Sequence, residues 1–323
     1  MTSHSLTRRG FLGRMTQAAT ASGLLALPSQ SHAARTGGGF RYVHLTDMHL
    51  QPELRGDEGF IKCLAAVESL QPKPDFIVTG GDLVMDVFEQ DSTRSKMLFG
   101  LYRKILADHT GIPAYQCIGN HDVFGWSGKH GVTPDDPLYG KKMFQDLLEI
   151  PRTYYHFDHK GWRFFVLDDI QPAPDGRYQA YIDEPQWAWL EKELASKDPG
   201  MPATVISHIP ILTVTLFDDT TLHADAYEIP TAYVCRDARK LAELFARHNV
   251  RLALSGHIHQ LDRIEFLGVT FICGGAVSGN WWQGPRKGME EGFGVVDVEP
   301  GGKFRYRYHD YGWDAQVDVN EPK

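Results

Sequence analysis

Five short polar clusters carry the chemistry this sequence can do: Asp47-Met48-His49, Gly80-Gly81-Asp82, Gly119-Asn120-His121-Asp122, Ser207-His208 and Gly256-His257-Ile258-His259. Asp and His one residue apart can both reach a cation once the chain bends. The adjoining glycines permit that bend and a close backbone approach. Imidazole with carboxylate and amide oxygen suits a first-row transition metal better than calcium, and the clusters hold no thiolate of the kind a structural zinc cage uses. So many carboxylates and imidazoles would not share one place without a cation. Two ions about 3.5–4 Å apart, sharing a carboxylate, are a common hydrolytic answer to such crowding.

Strands must position these groups, because each cluster follows a short apolar run: Phe40–Leu45, Asp75–Thr79, Ala114–Ile118, Ala203–Ile206 and Leu252–Leu254. The carboxyl ends of strands are where α/β sheets place their ligands, so the recurrence brings the clusters to one rim. Trp162–Leu167, Arg263–Phe266, Val269–Cys273, Gly294–Val298 and Phe304–Tyr308 read as further strands. Apolar spacing predicts helices over Phe60–Leu70, from an Asp91-Ser92 cap through Ile105, and over Met143–Ile150, Glu184–Ala195 and Arg236–His248. Strands alternate with helices first and become hairpin-like later. That order predicts one α/β (α+β) domain over residues 40–310, with mixed sheets flanked by helices and residues 311–323 as a tail. Residues 124–140 and 213–233 read as long surface loops.

The ordered blocks D-x-H, G-D, G-N-H-D, H and G-H-x-H, spread over residues 47–259, resemble the calcineurin-like metallophosphoesterase family. The resemblance implies two packed mixed sheets flanked by helices in four αββα layers. It implies two transition-metal ions (Mn, Fe or Zn): Asp47, His49 and His259 would hold one, Asn120, His208 and His257 the other, and Asp82 would bridge them. A bridging hydroxide would attack phosphorus in line. His121 would meet the transferring phosphoryl group or protonate the leaving oxygen, with Asp122 fixing its ring; Asn120 and His121 would also touch the substrate. Purple acid phosphatases of this family carry an iron-binding tyrosine three residues after the bridging aspartate; here Met85 stands there. Only 64 residues follow His259, too few for the large C-terminal substrate domain of secreted 5′-nucleotidases. The chain is therefore similar to the compact branch that includes the class III cyclic-nucleotide phosphodiesterases. Phosphodiester hydrolysis is the favoured expectation, with phosphomonoester hydrolysis and a non-catalytic metal-binding module as alternatives.

Composition agrees with a small-molecule enzyme. Of 323 residues, 42% are hydrophobic and 23% charged, which excludes a disordered chain. Lys+Arg 33 against Asp+Glu 41 gives a net charge of −8, so no duplex nucleic acid is expected as partner. Residues 1–33 hold Arg8, Arg9 and Arg14 without an acidic residue, then a short apolar stretch and Ser31-His32-Ala33. That pattern predicts a cleaved signal peptide, and Arg8-Arg9 followed by Phe11-Leu12 resembles the twin-arginine type, which implies the twin-arginine translocation machinery as partner and a periplasmic or extracellular location. Residues 34–39 read as a flexible link. The leader's apolar stretch is too short and too rich in Ala, Thr and Ser to anchor the chain stably in a membrane. Cys63, Cys117, Cys235 and Cys273 are too scattered for a disulfide framework; Cys117 and Cys273, inside apolar strand-like runs, are expected as buried thiols, with a disulfide in an oxidising compartment as the alternative.

Outside the motif, Gly279-Asn280-Trp281-Trp282 could approach a ligand closely, so at least one of Asn280, Trp281 and Trp282 is an expected substrate contact, with core packing of both tryptophans as the alternative. His223, in the loop after His208, could overhang the site. Asp168-Asp169 reads as a solvated or turn-forming pair.

Overall fold

The computed structural model describes residues 38–218, 221–223 and 226–316. The export signal expected over residues 1–33 and the side chain of His223 lie outside the described residues.

The elements follow one another as β1 (Phe40–Leu45), α1 (Gly56–Ser69), β2 (Phe76–Thr79), α2 (Ser92–His109) and β3 (Ala114–Tyr115). Then come α3 (Lys142–Leu148), β4 (Tyr155–His159), β5 (Trp162–Val166), β6 (Ile170–Pro172), β7 (Tyr178–Ala180), α4 (Glu184–Ser196) and β8 (Ala203–Ile206). The remainder is β9 (Thr221–His223), β10 (Ala226–Glu228), α5 (Ala238–Arg247), β11 (Val250–Ser255), β12 (Asp262–Phe266), β13 (Val269–Cys273), β14 (Gly292–Val298) and β15 (Phe304–Asp310).

Two mixed sheets organise them. The first has the order β15-β14-β1-β2-β3, with β1, β2 and β3 parallel and β14 antiparallel to its neighbours. The second runs β12-β13-β11-β8-β5-β4, parallel through its four central strands and closed by antiparallel hairpins at both edges. Period-two alternation sends successive side chains to opposite faces. Tyr42, Phe76 and Val78 of the first sheet therefore meet Phe164, Val166, Ile206, Leu252 and Leu254 of the second in one buried inner layer. Tyr42 and Phe76 stack at 5.1 Å within it. The alternate residues Val43, Leu45, Ile77, Phe165, Val205 and Ala253 belong instead to the core shared with Phe60, Leu64, Leu98, Leu190, Leu241 and Phe245 of the helices. The result is the pair of packed mixed sheets flanked by helices that the family resemblance implied.

Local sequence sets the helix starts. Asp91 caps α2 by accepting from Arg94 N at 2.8 Å, and Asp183 caps α4 by accepting from Gln186 N at 2.9 Å. Three expectations need correction. Helix α1 begins at Gly56, ahead of Phe60. Strand β3 stops at Tyr115, because Cys117 N turns to donate to Thr79 Oγ1 at 2.9 Å and the chain leaves the sheet. The stretch 213–233 is not all loop, since it holds β9 and β10. All four cysteines are buried free thiols. Among the described residues, no helix is long and apolar enough to cross a membrane.

Candidate metal centre

The clusters converge where β1, β2, β8 and β11 end. Asp47, His49 and His259 bring ligand atoms within 4.8 Å of one another, and so do Asp82, His208 and His257. Asp82 stands between the two groups, its Oδ2 3.2 Å from His208 Nε2 and 3.6 Å from His49 Nε2. Asn120 joins the second group, with Oδ1 2.9 Å from His208 Nε2. In the first group His259 Nε2 lies 3.4 Å from Asp47 Oδ1 and 3.0 Å from His49 Nε2. Two imidazole nitrogens aimed at each other beside a carboxylate form a donor set that fits a transition metal. All seven predicted ligands are thus gathered in one place.

The backbone bends sharply to do this. Asp47, His49, Asp82, His257 and His259 all have positive φ, between 40° and 73°. Non-glycine residues adopt that region at a cost of about 1–3 kcal/mol each, and such strain gathers at functional sites. Hydrogen bonds hold the bends: Asp47 N donates to Gly81 O, His49 N to Asp82 O and Ser278 Oγ to Asp47 O, at 2.8–3.1 Å. Gly256 lies so close to this junction that an added methyl would overlap Thr46 Oγ1 and the Asp47 carboxylate. Outer contacts also orient the ligands, which is how metal sites keep their histidines in place. His208 Nδ1 pairs with Gly80 O at 2.7 Å and His259 Nδ1 with Gly279 O at 2.6 Å, which turns both Nε2 atoms inward. Asp47 accepts from Thr46 Oγ1 at 2.6 Å and from His257 N at 3.0 Å.

The electrostatics show why a cation suits the site. Burial alone would raise the Asp82 carboxyl, but the imidazoles of His208, His121 and His49 hold it well below the usual range. Burial likewise opposes ionisation of Asp47 and is overcome chiefly by His259 and His208. His208 is pushed down by burial, yet the Asp82 and Asp47 carboxylates carry it up to about 10. His49 and His257 are driven low by burial, and neighbouring imidazoles add to the effect. Two carboxylates therefore stay ionised in the interior, compensated by positive charge on an imidazole, where metal ions would supply more.

His121 sits half-buried beside this cluster, its ring 4.7 Å from that of His49. Asp122 does not touch that ring. It is fully buried and accepts from the backbone N–H groups of Gly119 and Leu83 at 2.9 Å and Val84 at 3.3 Å, so it fastens the loops that carry Asn120 and Asp82. Two carboxylates stand near the His121 ring: Asp86, whose Oδ1 lies 3.7 Å from Nδ1, and Asp82, which with His49 and His121 forms a third group of ligand atoms within 4.8 Å of one another.

The two tryptophans part company. Trp281 lies against the rings of His259 and His49, at 4.9 and 5.9 Å, half-buried at the edge of the site. Asn280 Oδ1 faces Arg286 Nη1 at 3.4 Å, and Arg286 in turn stacks on Trp281. Trp282 is wholly buried against Gly56 and Gly59 of α1 and donates from Nε1 to His49 O at 2.9 Å, so it cannot meet a substrate. Asp168 and Asp169 are buried rather than solvated. Asp168 pairs with Lys141 Nζ at 2.7 Å and Thr153 Oγ1 at 2.6 Å, while Asp169 lies behind the backbone of His208. Tyr178 and Tyr233, which no motif singled out, flank His257 with ring centroids at 6.0 and 6.1 Å. Their only advance sign was aromaticity, with Tyr233 at the end of the stretch 213–233 and Tyr178 in no predicted element.

A calcineurin-like phosphoesterase family model matches residues 40–261. Among curated relatives, the chain is 28% identical over 205 residues to the serine/threonine-protein phosphatase CPPED1 of Mus musculus, covering 62% of this chain and 58% of that protein. It is 25% identical over 222 residues to a probable cyclic nucleotide phosphodiesterase of Psychrobacter sp. (strain PRwf-1), covering 68% and 56%. These matches span less than two thirds of either relative. In fold it is similar to GAP50, the anchor in the inner membrane complex of Plasmodium, with TM-score 0.52, 19% identity and 85% of each chain covered.

Proposed function

The chain belongs to the calcineurin-like phosphoesterase family, and on that footing we propose that it is an exported two-metal phosphodiesterase. The observation that carries the metal chemistry is the place of Asp82, within 3.6 Å of both His49 and His208 and so common to two donor groups. Asp47, His49 and His259 would hold one ion, Asn120, His208 and His257 the other, and Asp82 both. The bound ions would supply Lewis-acid chemistry, acidifying water and neutralising charge on the phosphoryl oxygens. His121, at the accessible side of the cluster, protonates the leaving oxygen. Asp86 lies 3.7 Å from its Nδ1, close enough to favour the protonated ring that donates that proton.

A diester is favoured by the two aromatic walls. Trp281 borders the group that contains His49 and His259, and Tyr178 with Tyr233 borders His257. One wall for each alcohol arm suits a phosphate esterified twice. The phosphatase name carried by the mouse relative favours a monoesterase as the second reading. Export rests on the arginine pair and small-residue cleavage site within residues 1–33.

The test is turnover of bis-p-nitrophenyl phosphate against p-nitrophenyl phosphate by the manganese-loaded protein, with chelator controls. Chelator-sensitive preference for the diester is expected. Preference for the monoester would move the function to a phosphatase on the same site. Turnover of neither, with ions bound, would mean a non-catalytic metal-binding module.

A further inference from the structure

A cavity of about 530 Å³ opens beside the metal centre, lined by Tyr178 and Tyr233 together with Ala173, Arg177, Pro230 and Ala232. Its two tyrosines are the residues whose rings flank His257, so cavity and metal centre share a wall. No metal ligand itself lines this cavity, nor those of about 320 Å³ against α2 and about 360 Å³ at the start of β1; this one differs in that Tyr178 and Tyr233 on its wall also flank the His257 ring.

The tyrosines are held, not loose. Tyr178 opens β7 and meets Phe88 edge-on at 5.9 Å. The β6–β7 hairpin is tied to the chain carrying Tyr233 by Ala180 N donating to Thr231 O and Arg236 N to Ala180 O, both at 2.9 Å. Tyr233 N closes its own turn on Pro230 O at 3.0 Å. The cationic group on the wall is already matched, since Arg177 Nη2 lies 2.7 Å from Asp175 Oδ2. A cavity whose cationic group is already paired with a carboxylate does not suit a second phosphate. Its volume falls within the roughly 300–1,000 Å³ usual for small-molecule sites, and aromatic faces supply the largest contact for a flat, uncharged group.

We propose that the cavity between Tyr178 and Tyr233 seats an uncharged aromatic ring, of nucleobase size, on one alcohol arm of the phosphate ester. The proposal rests on the phosphoester function proposed above and adds the chemistry of one arm. The rings of Tyr178 and Tyr233, and not their hydroxyls, do the discriminating.

The test is calorimetric binding of phenylphosphonate and methylphosphonate, neither of which is hydrolysed, to the full-length manganese-loaded protein. The wild type should bind the phenyl compound about tenfold more tightly, the preference expected from contact with two rings. Tyr178→Ala and Tyr233→Ala should each reduce that preference to about twofold or less, while Tyr178→Phe keeps it. Should Tyr178→Ala fail to fold, Tyr233→Ala carries the same test, because its ring is only half-buried. No preference in the wild type overturns the ring site. So does a preference unchanged in the alanine variants, which would place the ring on Trp281. Binding of neither phosphonate by protein that holds its metals would overturn the phosphoester function itself.

Discussion

The imidazole Nδ1 of His121 lies 3.7 Å from Oδ1 of Asp86, a carboxylate four residues beyond the shared ligand Asp82. Asp86 reaches this position through a positive φ of 46°, at the end of the loop that carries Asp82. Asp86 therefore stands beside His121 Nδ1 at ion-pair rather than hydrogen-bond distance, where its charge can act on the imidazolium, and Asp122 serves the backbone. Asp86→Asn keeps the shape and removes the charge, so kcat should fall about tenfold, a part of the 10²–10⁴ that a general acid supplies. Metal content by plasma emission should stay at the wild-type level. Asp122→Asn should instead lower thermal stability by about 1–3 kcal/mol, because an amide N–H would oppose backbone N–H donors. Equal loss of kcat in both, at unchanged stability, would contradict this division.

Asp82 and His121 separate holding a metal from using it. Asp82→Ala removes the oxygen common to both donor groups, and metal content should drop from about two ions to one or fewer, with activity lost in parallel. His121→Ala should retain both ions while kcat falls about 10²–10⁴-fold. An active Asp82→Ala variant would end the two-metal proposal, and loss of metal from His121→Ala would make His121 a ligand.

Glu291, which begins the approach to β14, is buried, and its Oε1 finds no hydrogen-bond partner. Burial raises its carboxyl from the usual 4.5 to about 7, and Glu290 and Asp310 push the same way. The folded state then keeps a proton that the unfolded chain releases, so stability is highest below the unfolded value and declines as pH rises through this window. Glu291→Gln imitates the protonated form. Its melting temperature should match wild type near about pH 5 and exceed it by about 3 °C near about pH 8. Parallel melting curves across that range would show that Glu291 does not carry the dependence.

The strands were legible where burial on both faces leaves a run of apolar residues. Phe40–Leu45, Ala203–Ile206 and Val269–Cys273 have the bounds their sequences suggest. The gathering of Asp47, Asp82, His208 and His257 was legible for the same reason, since each follows such a run. Asp86, Tyr178 and Tyr233 were not, because their places depend on loop bends and on a hairpin with no periodicity to read. The start of α1 was hidden too. Its first turn has no apolar spacing, and Gly56 and Gly59 face a tryptophan more than 200 residues away.

That tryptophan gives the sharpest contrast with its neighbour. Trp282 fills the space left by Gly56 and Gly59, meets Trp313 edge-on at 5.8 Å and donates to the carbonyl of His49, so core packing and the metal site share one side chain. Trp282→Ala should cost about 3–5 kcal/mol of stability. Trp282→Phe keeps a ring but leaves His49 O without its donor; it should cost about 1–3 kcal/mol and also weaken metal binding, because His49 loses the contact that fixes its strained backbone. Trp281→Ala removes a half-buried ring at the edge of the site. It should change stability by no more than about 1 kcal/mol while lowering kcat/KM for the diester. Chemical denaturation with parallel metal titration distinguishes the pair. If Trp281→Ala proves as destabilising as Trp282→Ala, Trp281 is a core residue, and the aromatic wall beside His49 and His259 must be withdrawn from the substrate model.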